Sequence, residues 1–77
     1  MWIRTQDQKK IINIVELQIK PSYKIRYPKY SIIGTCGKVP MYKVKLASYN
    51  TIEETLTVLN DIQYHINSNQ NTVYQMK

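Results

Sequence analysis

One cysteine, one histidine and no phenylalanine among 77 residues remove several functional classes before any pattern is read. The single cysteine, Cys36, rules out a disulfide within the chain, and with it the stapled mini-proteins that oxidising compartments favour. The single histidine, His65, has no thiol near it in sequence, so no cluster with zinc-ligand spacing exists and no metal is expected. A phosphate-cradling loop is also missing. Gly34-Thr35-Cys36-Gly37-Lys38 comes nearest, but Ile32 stands where the first glycine is needed and Val39 where Ser or Thr must follow the lysine. That segment, with Pro40, is expected to be a turn between strands. Cys36 with His65 as its base is the remaining nucleophilic pairing, and nothing in the spacing brings the two together. The chain therefore reads as a non-enzyme with no cofactor and no evident small-molecule substrate.

Long apolar runs are lacking too, and all fall well short of a membrane span. The opening Met1-Trp2-Ile3-Arg4 turns polar from Thr5 to Lys10, without the apolar stretch of an export signal. Together with the lone thiol, this gives the expectation of a cytoplasmic protein without a membrane partner. Length implies a single domain with a thin stability margin. Good packing or a partner subunit must supply what disulfides and metals do not, so self-association is the leading expectation.

What is present is alternation followed by one helical stripe. Met1–Thr5 reads as a strand with Trp2 and Arg4 on one face and Ile3 on the other. In Ile11–Ile19 the apolar phase changes: Ile12 and Ile14 share one side, whereas Val15, Leu17 and Ile19 share the other. Either the strand is buried on both faces or a bulge or turn near Asn13–Glu16 resets the register, and in so small a domain the reset is the expectation. Pro21 is read as the end of that strand. Tyr23, Ile25 and Tyr27 alternate with Lys24 and Arg26, and a turn follows at Pro28-Lys29. Tyr30–Thr35 resumes as strand. Tyr42, Val44 and Leu46 alternate with Lys43 and Lys45. These patterns predict an α+β fold, a three- to five-stranded antiparallel meander with one amphipathic helix over about 52–66 packed on one face. Thr51 is the expected N-cap, with Glu54 three residues on and Glu53 and Glu54 at the positive end of the helix dipole. Ile52, Leu56, Leu59, Ile62 and Ile66 form the predicted core stripe. Residues 1–67 make the domain, and 68–77 is expected to be a polar C-terminal tail, the alternative being a strand or arm that docks on another subunit.

Acidic residues are scarce where bases are dense. No acid occurs between Leu17 and Ile52, a stretch holding Lys20, Lys24, Arg26, Lys29, Lys38, Lys43 and Lys45. Residues 1–50 carry a net +8 and residues 51–77 a net −2, within a total of +6. Lys24, Arg26, Lys43 and Lys45 are the candidates for a basic sheet face that holds phosphates, which makes nucleic acid the second candidate partner. Three considerations count against it. Outward lysines also keep sheets soluble, and Ile, Lys, Asn and Tyr together make 33 of 77 residues, a skew toward A- and U-rich codons that inflates lysine. The tyrosines that alternate with the bases are moreover expected on the buried face, away from any stacked base. Trp2 is expected to anchor the core or a sheet edge. Val58 and Tyr64 lie outside the predicted helix stripe and, with Trp2, Val73 and Tyr74, form the candidate subunit contact. Asp61 and His65 are spaced to pair on the helix surface.

The start Met1-Trp2-Ile3-Arg4-Thr5-Gln6, the segment Ile12-Asn13-Ile14 and the run Leu46-Ala47-Ser48-Tyr49-Asn50-Thr51-Ile52-Glu53-Glu54 before Leu59 and Ile62 resemble small uncharacterised proteins of phages, prophages and mobile elements of low-GC Gram-positive bacteria. Ala47 and Thr55 depart from the glycine and alanine common there, and about Lys20 to Met41 has no counterpart. The resemblance implies a strand-then-helix fold and a genomic setting. It carries over no functional residue.

Overall fold

Thr51 begins the helix as its chemistry requires. In the computed structural model, which describes residues 1–22, 29–37, 41–68 and 72–77, Thr51 has an extended backbone (φ −128°, ψ 153°). Its hydroxyl accepts from the Glu54 amide at 3.1 Å. That bond satisfies one of the donors orphaned at a helix start. The helix, α1 (Ile52–Asn67), closes at Ser68, whose amide and hydroxyl both donate to the Tyr64 carbonyl.

Five strands precede and follow it: β1 (Trp2–Arg4), β2 (Ile11–Ser22), β3 (Lys29–Cys36), β4 (Lys43–Tyr49) and β5 (Tyr74–Gln75). They form one sheet in the order β4-β3-β2-β1-β5, antiparallel throughout except for β5, which runs parallel to β1. The fold is α+β as expected, with the meander β1 to β4 intact and the helix carrying the chain from the β4 edge to the β5 edge. The predicted Tyr23–Tyr27 strand, Pro28, and Lys38 to Pro40 lie outside the described residues.

The bulge appears at its predicted place. Ile14 pairs with Cys36 and Glu16 with Thr35, leaving Val15 as the extra residue. The extra residue restores the phase, so that Ile12 and Ile14 before it and Leu17 and Ile19 after it serve the same face. A second bulge lies in β4 between the pairs Ile32–Ala47 and Ile33–Lys45, and it lets the consecutive Leu46 and Ala47 both be buried. Pro21 does not end β2, which runs on to Ser22. The neighbour β1 pairs with β2 only as far as Asn13, so the far edge of β2 asks no hydrogen bond of proline. Gly34 is interior to β3 and Cys36 is its last residue, so neither lies in a turn.

The segment that links β1 to β2 reaches the outer edge of β4. The Gln6 amide donates to the Leu46 carbonyl at 2.9 Å, and the Gln6 side chain accepts from the Ser48 amide at 3.0 Å. These two bonds engage the outer edge of β4 at Leu46 and Ser48, backbone that would otherwise be open to another chain. On the concave side lie Ile3, Ile12, Ile14, Ile32, Cys36, Leu46 and Ala47, closed off by Val58 and Ile62 of the helix and by Tyr74 and Met76.

Two expectations about the helix and the C-terminal segment need correction. Thr55, Val58 and Ile62 are the buried helix residues, whereas Leu56 and Ile66 keep 45% and 53% of their surface exposed. The helix is thus turned so that the predicted stripe lies half outside the core. Thr55 tolerates full burial because its hydroxyl donates to the Thr51 carbonyl at 2.8 Å. Residues 72–77, expected as tail or as an arm for another subunit, instead complete this chain's own sheet: Tyr74 pairs with Ile3, the Met76 amide donates to the Arg4 carbonyl, and Met76 is buried.

Candidate functional site

No helix or strand among the described residues lies over the convex face of the sheet, and strand register fixes which residues stand there. Trp2 opposes Asn13 and Arg4 opposes Ile11 across β1 and β2. Beyond the bulge the face is ordered in rows across β2, β3 and β4: Glu16–Thr35–Lys43, then Gln18–Ile33–Lys45, then Lys20–Ser31–Ser48. Residues directly opposite on antiparallel strands share a face.

Gln18, Lys20, Ile33, Lys43 and Lys45 line one shallow depression of about 400 Å³, which reaches to Ile19 and Pro21 of β2. Lys43 and Lys45 therefore stand together on this face, where alternation placed them. Lys24 and Arg26, the other two members of the predicted basic set, lie outside the described residues. Lys20 takes part instead. Its membership depends on the bulge that sets the β2–β3 register, and only a prediction of that register would have included it. One acid, Glu16, stands in these rows. Lys45 also borders a second hollow with Thr5, Gln6 and Asp7. The Asp7 carboxylate there is already engaged by the Thr5 hydroxyl at 2.6 Å and the Lys9 amide at 3.0 Å, and these bonds hold its pKa below the ordinary value.

Trp2 is 50% exposed on the same convex face, rather than anchored in the core. Ile11 and Val15, 53% and 62% exposed, accompany it and give the β1–β2 half of the face an apolar character beside the basic half. Tyr42, expected on the buried face, is exposed just before β4. A side-chain hydrogen bond with Cys36 holds its hydroxyl pKa above the usual tyrosine value.

The candidate subunit contact does not come together as one surface. Val58 and Tyr74 are buried in the chain's own core, because the helix is rotated toward Val58 and because β5 inserts Tyr74 beneath it. Tyr64 and Val73 are exposed, and Trp2 belongs to the convex sheet face. Tyr74 instead joins a polar clasp between helix and sheet. Its hydroxyl donates to Asp61 at 2.5 Å, Lys77 pairs with the same carboxylate at 3.0 Å, and His65 meets the Tyr74 ring edge-on at 5.3 Å. Asp61 thus finds its closest partners in Tyr74 and Lys77, and the His65 ring hydrogen-bonds the Thr72 carbonyl. Burial first, then the Asp61 hydrogen bond, raises the Tyr74 pKa, while the Tyr74 and Lys77 bonds lower that of Asp61.

Among the described residues, no group of three or more His, Cys, Asp or Glu side chains converges as a metal site would need, and no helix is long and apolar enough to cross a membrane. Comparison of the chain with protein-family models, curated proteins and solved structures gives no match.

Proposed function

We propose that this chain is a non-catalytic binding module whose convex sheet face holds nucleic acid through its phosphates. The observation that carries the reading is the convergence of Lys20, Lys43 and Lys45 around Gln18 and Ile33 in one depression. Three ammonium groups on a rigid sheet, with amide donors beside them, match a run of phosphates in charge and hydrogen-bonding type. They fit a second copy of the same face poorly, because two-fold association would set lysine rows against each other. The resemblance at both ends of the chain supports placing this activity in an accessory protein of a phage or prophage, acting in the cytoplasm. Changing Lys20, Lys43 and Lys45 together to glutamine tests the reading. Each neutralised phosphate contributes about 0.7 to the slope of log affinity against log salt on single strands, so the variant should lose about 2 from the slope. An unchanged affinity and slope would remove the proposal.

Self-association remains a second reading, supported by a different surface. Leu56 and Ile66 stand exposed on one side of the helix with Ile52 and Leu59 only half-buried between and beside them. Such a stripe suits a helix-to-helix contact. Sedimentation at rising micromolar concentration decides it: a Leu56→Lys/Ile66→Lys variant should be monomeric where the unaltered chain is dimeric, and a chain that is monomeric throughout has no such contact.

A further inference from the structure

We infer that the face selects single-stranded nucleic acid over duplex, with Trp2 as the platform on which a base stacks; this deepens, and rests on, the phosphate-binding reading of the lysine depression. The chain's only tryptophan is half exposed on the same convex face as Lys20, Lys43 and Lys45. A large aromatic ring is costly to leave in water, and the fold had an alternative: Ile3, its neighbour on β1, is fully buried on the concave side. Arg4 follows Trp2 on the same face of β1, its Nε donating to the Gln8 carbonyl at 3.1 Å. Asn13 stands opposite Trp2, its Oδ1 accepting from the N-terminal ammonium at 2.9 Å, so a guanidinium and an ammonium are the charged groups of this part of the face. Cations and amides around an exposed aromatic are the elements of a base-stacking site.

Spacing supports the pairing of the two halves. Trp2 on β1 and Lys43 on β4 are three strands apart and displaced by a few residues along β2, which amounts to roughly 15–20 Å along the sheet. An extended strand of a few nucleotides covers that distance with a base at Trp2 and phosphates at the lysines. A duplex keeps its bases stacked inside and offers Trp2 no ring face. Its phosphates alone would engage the depression, so selectivity must come from the tryptophan.

The test uses the whole chain and its single tryptophan as the reporter. An oligothymidylate of about ten nucleotides is titrated while Trp2 emission is followed, in parallel with a duplex of equal length and a polyglutamate peptide. The expected results are strong quenching by the single strand, little by the duplex, and no binding of polyglutamate. Trp2→Leu, which keeps apolar surface but removes the ring, should weaken single-strand binding about five- to a hundredfold and leave duplex affinity unchanged, whereas Trp2→Tyr should restore most of it. Circular dichroism of each variant checks that the fold is kept. Unquenched emission at saturation, or equal single-strand affinity in Trp2→Leu, overturns the inference. If the lysine variant still loses binding in that case, the phosphate-binding reading survives alone. If neither nucleic acid binds, both fall.

Discussion

Gly34 lies in the middle of β3 where a single methyl group would not fit, and Gly34→Ala measures how tightly the concave core is packed. A Cβ built there would sit 2.7 Å from Ile14 Cδ1, 2.9 Å from Leu46 Cδ1 and 3.1 Å from Ile14 Cγ2. Both neighbours are buried, Ile14 at 3% exposure and Leu46 at 2%, so their methyls have little free volume to move into. Overpacking of this kind costs about 1–3 kcal/mol. Alanine returns about 0.4–1 kcal/mol by restricting the unfolded chain. The net expectation is about 1–2 kcal/mol of destabilisation, or a fall in Tm of roughly 5–15 °C for a domain of this size. Urea denaturation followed by circular dichroism should show a lower midpoint at unchanged slope. Ile14→Val removes the nearest methyl at an expected cost of about 0.5–1.5 kcal/mol. The double variant should therefore be more stable than the two single losses added together, by about 1 kcal/mol. Gly37→Ala is the control. Its Cβ would meet only the exposed Val15, which can rotate away, and the change should stay within about 0.5 kcal/mol. A neutral or stabilising Gly34→Ala, or strict additivity with Ile14→Val, would refute this packing.

Three further outcomes follow from local features. Thr51→Ala should cost about 1 kcal/mol by removing the cap on the Glu54 amide, with Thr51→Ser retaining most of it, as read from thermal melts. Gln8 in the β1–β2 loop has φ 66°, so Gln8→Gly should stabilise by about 0.5–1 kcal/mol. The clasp between Asp61 and Tyr74 predicts pH dependence on both sides of neutrality. The lowered Asp61 pKa contributes stability that is complete above its ordinary value of 3.8 and is lost as pH falls through the depressed folded value. The raised Tyr74 pKa contributes stability that is complete below 10.0 and is lost as pH climbs above it. Tyr74→Phe should weaken both limbs of a plot of denaturation midpoint against pH, and limbs identical to the parent's would contradict the clasp.

Local chemistry was legible in the sequence, and long-range pairing was not. Thr51 and Glu54 announce the helix start because a cap depends on residues three apart. The bulge at Val15 could be read because both alternating sets of Ile11–Ile19 are apolar, and only a phase change lets a thin domain bury them together. The rotation of the helix could not be read. A helical wheel ranks residues by hydrophobicity, whereas the way the helix seats on β3 and β4 leaves Thr55 and Val58 buried and Leu56 half exposed. That the C-terminal strand docks on this chain's own sheet could not be read, because its partner Ile3 is some seventy residues away and two residues show no alternation. At the candidate site, Lys43 and Lys45 were evident from alternation within one strand. Lys20 joins them only through the bulged β2–β3 register. That Trp2 shares a side with Arg4 was plain; that this side is the convex one depends on where the helix packs.

The face that binds is the central claim, and an NMR titration of the chain with a short oligothymidylate tests it most directly. Progressive shifts are expected at Trp2, Gln18, Lys20, Ile33, Lys43 and Lys45, with the exposed helix residues Leu56 and Ile66 unmoved. Shifts confined to Leu56, Ile66 and their helix neighbours, or none at saturating oligonucleotide, would contradict it.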